Sequence, residues 1–408
     1  MQHHIPVDGA DPHAQRMAHA VSSCVHCGFC LPACPTYRVL GEEMDSPRGR
    51  IVLMKEVLEG GLTLDDAAPH LDRCLGCLAC ETACPSGVPY RDLIEPFRAR
   101  LVAARSPWAR LRLRALLCVM ESPQLFRLAA RAGSATRPLA PVLPGALRAM
   151  IGLLPRALPA PTAPAAVTPA QGPRRGRVAL MTGCVQSVLR PGITDAAIRV
   201  LTVNGVDVVV PPHQACCGAL ACHVGDDTRG RALAAAHARG FPADVDAVLA
   251  TAAGCGSSMK DHHGGGPPVL DLLEYLQQLG LVGVPALTAP TRVAYQDACH
   301  LAHAQQITSA PRHLLQAVAH LTLVPVADSG LCCGSAGLYN LEQPALAADL
   351  GARKAAALVA SGAALVTTAN IGCLTQVQAA LGASGHALPV VHVVELLDMA
   401  YRQAVGPQ

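Results

Sequence analysis

The stretch CVHCGFCLPACP, Cys24 to Pro35, recurs as CLGCLACETACP, Cys74 to Pro85. Both follow one frame, C-x-x-C-x-x-C-x-x-x-C-P, and no other feature limits the chain's fold so strongly. Eighteen cysteines among 408 residues can serve disulfides or metal. The first residues, MQHHIPVDGADPHAQRMAHAVSSC, lack a basic start followed by an apolar stretch, so no secretory signal is expected. No uninterrupted apolar run approaches the ~20 residues that span a bilayer. The expected location is therefore cytoplasmic, where thiols stay reduced and a cysteine framework argues for metal or redox work.

Thiolates are soft ligands that suit iron–sulfur clusters or zinc. A zinc site usually needs two pairs with a longer gap, whereas here three cysteines fall close together before a fourth and a proline. This is the bacterial ferredoxin frame, in which the fourth cysteine serves the other cluster. The expected ligation is crossed. Cys24, Cys27, Cys30 and Cys84 hold one [4Fe–4S] cluster; Cys74, Cys77, Cys80 and Cys34 hold the second. The intervening SPRGRIVLMKEVLEGG places Ile51, Met54, Val57 and Leu58 at helical spacing and is expected to cap the pair. A structural zinc domain is the alternative; the full frame written twice favours clusters.

Three regions separate along the chain. Residues 1–100 carry both frames. Residues 101–173 hold nine arginines, one acid (Glu121) and one cysteine (Cys118), and finish in the Pro/Ala-rich LPRALPAPTAPAAVTPAQGP, read as an extended linker. The remainder is a repeat, 174–288 and 289–408. RVALMTGC answers RVAYQDAC, QACCGAL answers GLCCGSAG, VLATAAGC answers LVTTANIGC, and PVLDLLEYL answers VVHVVELLDMA. Short apolar runs alternate with Ala-rich helical stretches, which predicts a Rossmann-like, doubly wound parallel sheet in each copy. The expected class is thus α/β, with an α-helical ferredoxin-type domain in front. Cysteines that follow strands belong at the carboxyl edge, and two facing copies are expected to place eight thiols around one cleft.

Those thiols are Cys184, Cys216, Cys217 and Cys255, then Cys299, Cys332, Cys333 and Cys373. Four per copy suffice for a further iron–sulfur cluster. They equally suit close packing at strand ends, with Gly218 and Gly334 permitting a tight turn, or a reactive dithiol. His213 precedes the first pair and His300 follows Cys299; each can tune or ligate a cluster, move a proton, or simply hydrogen-bond. Cys118 and Cys222 have no counterpart in the frames and read as small buried apolar residues. SPWARLRLRALLCVMESPQLFRLAARAG suits a helical pair packed on the first domain, a docking face for a flavoprotein, or peripheral contact with the inner face of the cytoplasmic membrane. With 3 % aromatic residues and a net charge of +3, nucleic acid is not an expected partner.

The duplicated CCG resembles the cysteine-rich domain of heterodisulfide reductase subunits, of the anaerobic glycerol-3-phosphate dehydrogenase iron–sulfur subunit and of lactate-utilisation proteins. Two ferredoxin frames around SPRGRI, followed by TGCVQ, HQACCGAL, DACHLAHAQ, LCCGSAGLYNLEQP and NIGC, resemble the glycolate oxidase iron–sulfur subunits over nearly the whole chain. The resemblance implies an electron-transfer subunit of an oxidoreductase, with no catalytic residue of its own. FAD-binding partner subunits would oxidise glycolate to glyoxylate, and this chain would carry the electrons toward the quinone pool. The same role for D-lactate or glycerol 3-phosphate, or a thiol/disulfide enzyme, are the alternatives. One departure bears on the last. The heterodisulfide reductase relatives close each copy with C-x-x-C, whereas here CGSS (Cys255 to Ser258) and CLTQ (Cys373 to Gln376) lack that fifth thiol. The chain shows neither G-x-G-x-x-G nor G-K-[ST], so a flavin or nicotinamide site is expected on another subunit or on a motif of another kind.

Overall fold

Helices dominate the described part of the first third of the chain and alternate with the two cysteine loops. The computed structural model describes Ile5, residues 11–262 and residues 265–404. Helices Ala14–Ser22, Pro35–Leu40, Pro47–Glu59, Leu64–Asp72 and Arg91–Ala104 surround the loops. Pro35 ends the first frame and opens a helix, where its missing N–H costs nothing. Ser46 caps Pro47–Glu59 by accepting from the Gly49 N–H. That helix buries Ile51, Leu53 and Met54 against Met17, Leu71, Leu93, Ile94 and Phe97, and Val57 and Leu58 pack at the margin. Each such side chain contributes about 1.5–3 kcal/mol of burial.

The arginine-rich segment forms helices Pro107–Glu121, Pro123–Ala135 and Gly145–Leu153. Serines 106 and 122 cap the first two, each followed by proline. Leu113 and Leu117 pack onto Ala221 and Leu338, one from each cysteine-rich repeat. The Pro/Ala stretch is irregular until β1 (Val167–Thr168), which joins a sheet edge.

Each repeat builds its own sheet. The first has the order β1-β3-β2-β4-β5, with β2 (Gly176–Leu180), β3 (Val206–Val209), β4 (Ala247–Ala250) and β5 (Val269–Asp271) all parallel and β1 antiparallel. The second has the order β7-β6-β8-β9, all parallel, with β6 (Ala286–Gln296), β7 (Ala319–Val324), β8 (Leu365–Thr368) and β9 (Val390–His392). The two orders correspond strand for strand, as the sequence repeat requires. One continuous apolar core joins the sheets. The final helix, Val393–Ala404, locks the second repeat to the first: Arg199 forks onto Asp398 through two bonds of 2.8 Å, and Arg190 meets Glu395 at 2.9 Å. Two of the region boundaries fall inside elements. Helix Arg91–Ala104 runs through residue 100, and β6 runs through residue 288.

Candidate functional site

The two cysteine loops fold back on themselves through left-handed backbone at His26 and Gly28 in the first and at Gly76 and Leu78 in the second. The result is two recesses. Cys24, Cys27, Cys30 and Cys84 line one, with Cys80 behind them. Cys34, Cys74, Cys77 and Cys80 line the other. Cys84 thus lies beside cysteines of the first frame and Cys34 beside cysteines of the second, while Cys80 lines both recesses. The recesses differ in exposure. Cys27 is open to solvent, and its neighbours Val25 and Phe29 are 67 % and 66 % exposed. Cys34, Cys74 and Cys77 are buried.

Charge around the thiols is arranged for anions. Burial opposes ionisation of Cys74, but the Arg50 and Arg98 guanidinium groups, the Gly76 N–H and the Tyr90 hydroxyl outweigh it and hold the thiol below its ordinary range. Arg50 is fully buried and donates to His70 O (2.7 Å), Thr36 Oγ1 (3.0 Å) and Asp45 Oδ1 (3.4 Å). Burial pushes Cys30 up to about 11 and lifts Cys77 and Cys80 well above a free thiol.

The second loop is also the junction with the cysteine-rich domain. His223 Nε2 donates to Leu75 O at 2.9 Å, and Tyr339 Oη donates to Arg73 O at 2.9 Å. Arg98 bridges the two parts, donating to Cys74 O (2.5 Å) and His223 O (2.9 Å). Leu75, Cys77 and Ala79 share one apolar cluster with Cys299, Cys332 and Tyr339. Repeat 2, not repeat 1, therefore brings its thiols against the ferredoxin-type loop.

The eight thiols of the repeats gather as two quartets, one per repeat, through sulfur contacts within each repeat. Cys184 Sγ lies 3.8 Å from Cys216 Sγ, and Cys217 bonds to Cys216 and Cys255. In the second quartet Cys332 bonds to Cys299 and Cys333, and Cys373 bonds to Cys333. Each quartet concentrates negative charge on one sulfur. Thiols of Cys184 and Cys217 donate to Cys216 and lower it; those of Cys332 and Cys373 do the same for Cys333, beside the buried Lys354 ammonium. Cys255 and Cys373 open the helices Ala253–Asp261 and Ile371–Ala383. Where a fifth thiol would stand, the Ser258 carbonyl accepts from His262, and Gln376 Nε2 donates to Ala347 O at 2.9 Å.

The single histidines divide. His213 is exposed, whereas His300 lies against Gly76 with burial holding its pKa down at about 4. Cys118 is exposed, not buried: its sulfur lies at the surface 3.3 Å from the Arg229 guanidinium, because its helix packs through Leu113 and Leu117 instead. Cys222 is half-buried. The residues that sequence reasoning missed are Tyr90, Arg98, His223 and Tyr339, whose partners lie in distant segments. Arg50 was visible only as part of SPRGRI.

A helical module with two cysteine-lined recesses, docked on a duplicated cysteine-rich α/β domain, has the make-up of an iron–sulfur protein. The 4Fe-4S dicluster domain family matches residues 20–88, and the Cysteine-rich domain family matches residues 178–260 and 293–378. The glycolate oxidase iron-sulfur subunit of Escherichia coli strain K12 is 36 % identical over 398 residues, covering 93 % of each chain. The probable glycolate oxidase iron-sulfur subunit of Bacillus subtilis strain 168 is 35 % identical, covering 92 % of this chain and 93 % of that one. The chain belongs to the glycolate oxidase iron-sulfur subunit family. Lactate utilization protein A of Exiguobacterium is 27 % identical, covering 56 % of this chain and 99 % of that one. Among solved structures, a hypothetical protein from Helicobacter pylori covers 97 % of this chain at a TM-score of 0.54 and 11 % identity, a likeness of fold alone.

Proposed function

We propose that this chain carries electrons from an FAD-containing partner subunit that oxidises glycolate to glyoxylate, and delivers them toward the quinone pool. The observation that supports it most is the exchange of Cys84 and Cys34 between the two recesses. Each donor set is four thiols, the ligand number of a [4Fe–4S] cluster, and such a cluster supplies one-electron redox chemistry when bound. The chain's residues do the remaining work. Arg50 and Arg98 offset negative charge at Cys74, the surrounding helices exclude water from the buried recess, and Arg98, His223 and Tyr339 fix that recess against repeat 2. The open recess, rimmed by Val25 and Phe29, is the side we assign to the flavoprotein. The quartets Cys184/Cys216/Cys217/Cys255 and Cys299/Cys332/Cys333/Cys373 also have the donor number and softness for iron–sulfur ligation.

The decisive experiment purifies the chain anaerobically with its partner subunits and measures iron, sulfide and glycolate-dependent dye reduction. About eight irons per chain support the two ferredoxin-type sites alone; about twelve or more bring in the quartets. Intact, active material without iron would end the proposal. The likeness to lactate utilization protein A favours D-lactate as the second substrate to test. If D-lactate and not glycolate bleaches the partner's flavin, the substrate assignment fails while the electron-carrying role stands. Among the described residues no helix is long and apolar enough to cross a membrane. Trp108 (80 % exposed), Leu111 and Leu128 stand on the arginine-rich helices and are the face assigned to a partner subunit. Release of the complex by a low-salt, detergent-free wash would exclude peripheral attachment at the inner face of the cytoplasmic membrane.

A further inference from the structure

Three donors in the first repeat take no part in the sites above. Cys222 lies near the end of helix Ala219–Val224, Asp227 opens helix Asp227–Ala238, and His262 follows helix Ala253–Asp261. A sulfur, a carboxylate oxygen and an imidazole nitrogen from these residues lie within 4.8 Å of one another, all half-buried. The set is not part of the scaffold that the repeats share. At the same offsets from the cysteine landmarks, the second repeat has Leu338 for Cys222, Gln343 for Asp227 and Ala380 for His262. Leu338 is a core residue there, so the first repeat carries a thiol where packing asks only for an apolar side chain.

Local chemistry supports ligation. His262 Nδ1 is engaged by Ser258 O at 2.9 Å, which fixes the tautomer with a lone pair on Nε2, the arrangement metal-binding imidazoles use. Asp227 gives one oxygen to Arg231 at 2.7 Å and keeps the other. A Cβ on Gly230 would sit 2.2 Å from Cys222 Sγ, so a glycine makes room for this sulfur. Glu95, on the ferredoxin-type domain's last helix, acts on both Cys222 and His262 across the junction.

We propose that Cys222, Asp227 and His262 bind one zinc ion, with a fourth position for water. One sulfur, one nitrogen and one oxygen donor form a mixed set that zinc accepts and that an iron–sulfur cluster does not match. The ion ties together three helices that follow the first cysteine pair, so its role is to brace that loop. It makes no use of the iron sites.

The test uses the full chain purified anaerobically with its partners, with zinc and iron counted by elemental mass spectrometry. One zinc per chain is expected beside the iron. Cys222→Ser and His262→Ala should each lower zinc roughly tenfold or more with iron and sulfide unchanged. If a variant also loses iron, the wild-type chain decides: reloaded with Co2+, it should show thiolate-to-cobalt charge-transfer and tetrahedral ligand-field bands. Wild-type protein that takes up neither zinc nor cobalt, or zinc that persists in the Cys222→Ser/His262→Ala double variant, would overturn the site.

Discussion

Cys84 stands ten residues past Cys74, yet it lines the recess of the other frame. Exchange of ligands makes a sharp prediction about pairs of substitutions, since partners on one site are not additive. Cys27→Ala/Cys84→Ala should retain about four of eight irons, because both changes strike one site; Cys77→Ala/Cys84→Ala should retain none of the eight. Elemental analysis of anaerobic preparations decides, and the reverse order, none in Cys27→Ala/Cys84→Ala and about four in Cys77→Ala/Cys84→Ala, would show self-contained frames. A second prediction concerns a buried carboxyl at the end of β5. Burial raises Asp271 to about 7 despite the Leu273 N–H bond and Lys260, with Glu274 and Tyr295 also facing it, and its Oδ2 has no hydrogen-bond partner. A folded pKa above the unfolded one favours the folded state at low pH and is lost as pH rises through about 7. Between pH 6 and 8 the wild type should lose on the order of 1 kcal/mol from this group, a fall of a few degrees in anaerobic melting temperature at most. Asp271→Asn should lack that slope; an unchanged slope would show that another group supplies it. The eight N-terminal cysteines were legible because their spacing is local and covalent. Arg98 and His223 were not, because 125 residues separate partners that only the fold brings together.

Elements explain why CCG is written as it is. Gly218 has φ +80, and a Cβ there would stand 2.1 Å from Gly230 O; Gly334 has φ +90, with Ala347 O at 2.8 Å. Both contacts are with backbone, which cannot swing away. Gly218→Ala should therefore cost roughly 3 kcal/mol or more, and Gly334→Ala less, because left-handed strain adds to a clash that is worse at 218. Paired anaerobic melting curves would show the order, and equal shifts would argue that the Gly230 backbone yields. The parallel strands of each repeat followed from the alternation of apolar runs and helical stretches, whereas their order came only from the structure. So did the gathering of thiols into two quartets, since it rests on sulfur contacts within each repeat. The π-helical turn at His300–Ala304, directly after Cys299, left no pattern in the sequence either.

The whole molecule is asymmetric although its two repeats are alike. The ferredoxin-type loop from Arg73 to Cys77 is held by His223 of repeat 1 and Tyr339 of repeat 2, but its apolar face meets residues of repeat 2, Cys299, Cys332, Tyr339, Ala347 and Leu350. Arg98 spans the junction together with His223 and Tyr339, donating to one carbonyl on each side. Arg98→Met keeps much of the apolar stem and removes both bonds, leaving two half-buried carbonyls without that donor. The loss should be about 2–4 kcal/mol at the junction, since hydrogen bonds from a charged donor are the strong kind. Its signature is local: faster amide hydrogen exchange in residues 73–77 and 219–224, with exchange in β2 and β6 unchanged. If the electron-carrying role is right, substrate should still reduce the partner's flavin while transfer to an external acceptor slows. A uniform rise in exchange across both sheets would instead make Arg98 a residue of global stability. Unchanged exchange everywhere would mean that the His223 and Tyr339 bonds and the apolar contacts of Leu75, Cys77 and Ala79 hold the junction without Arg98.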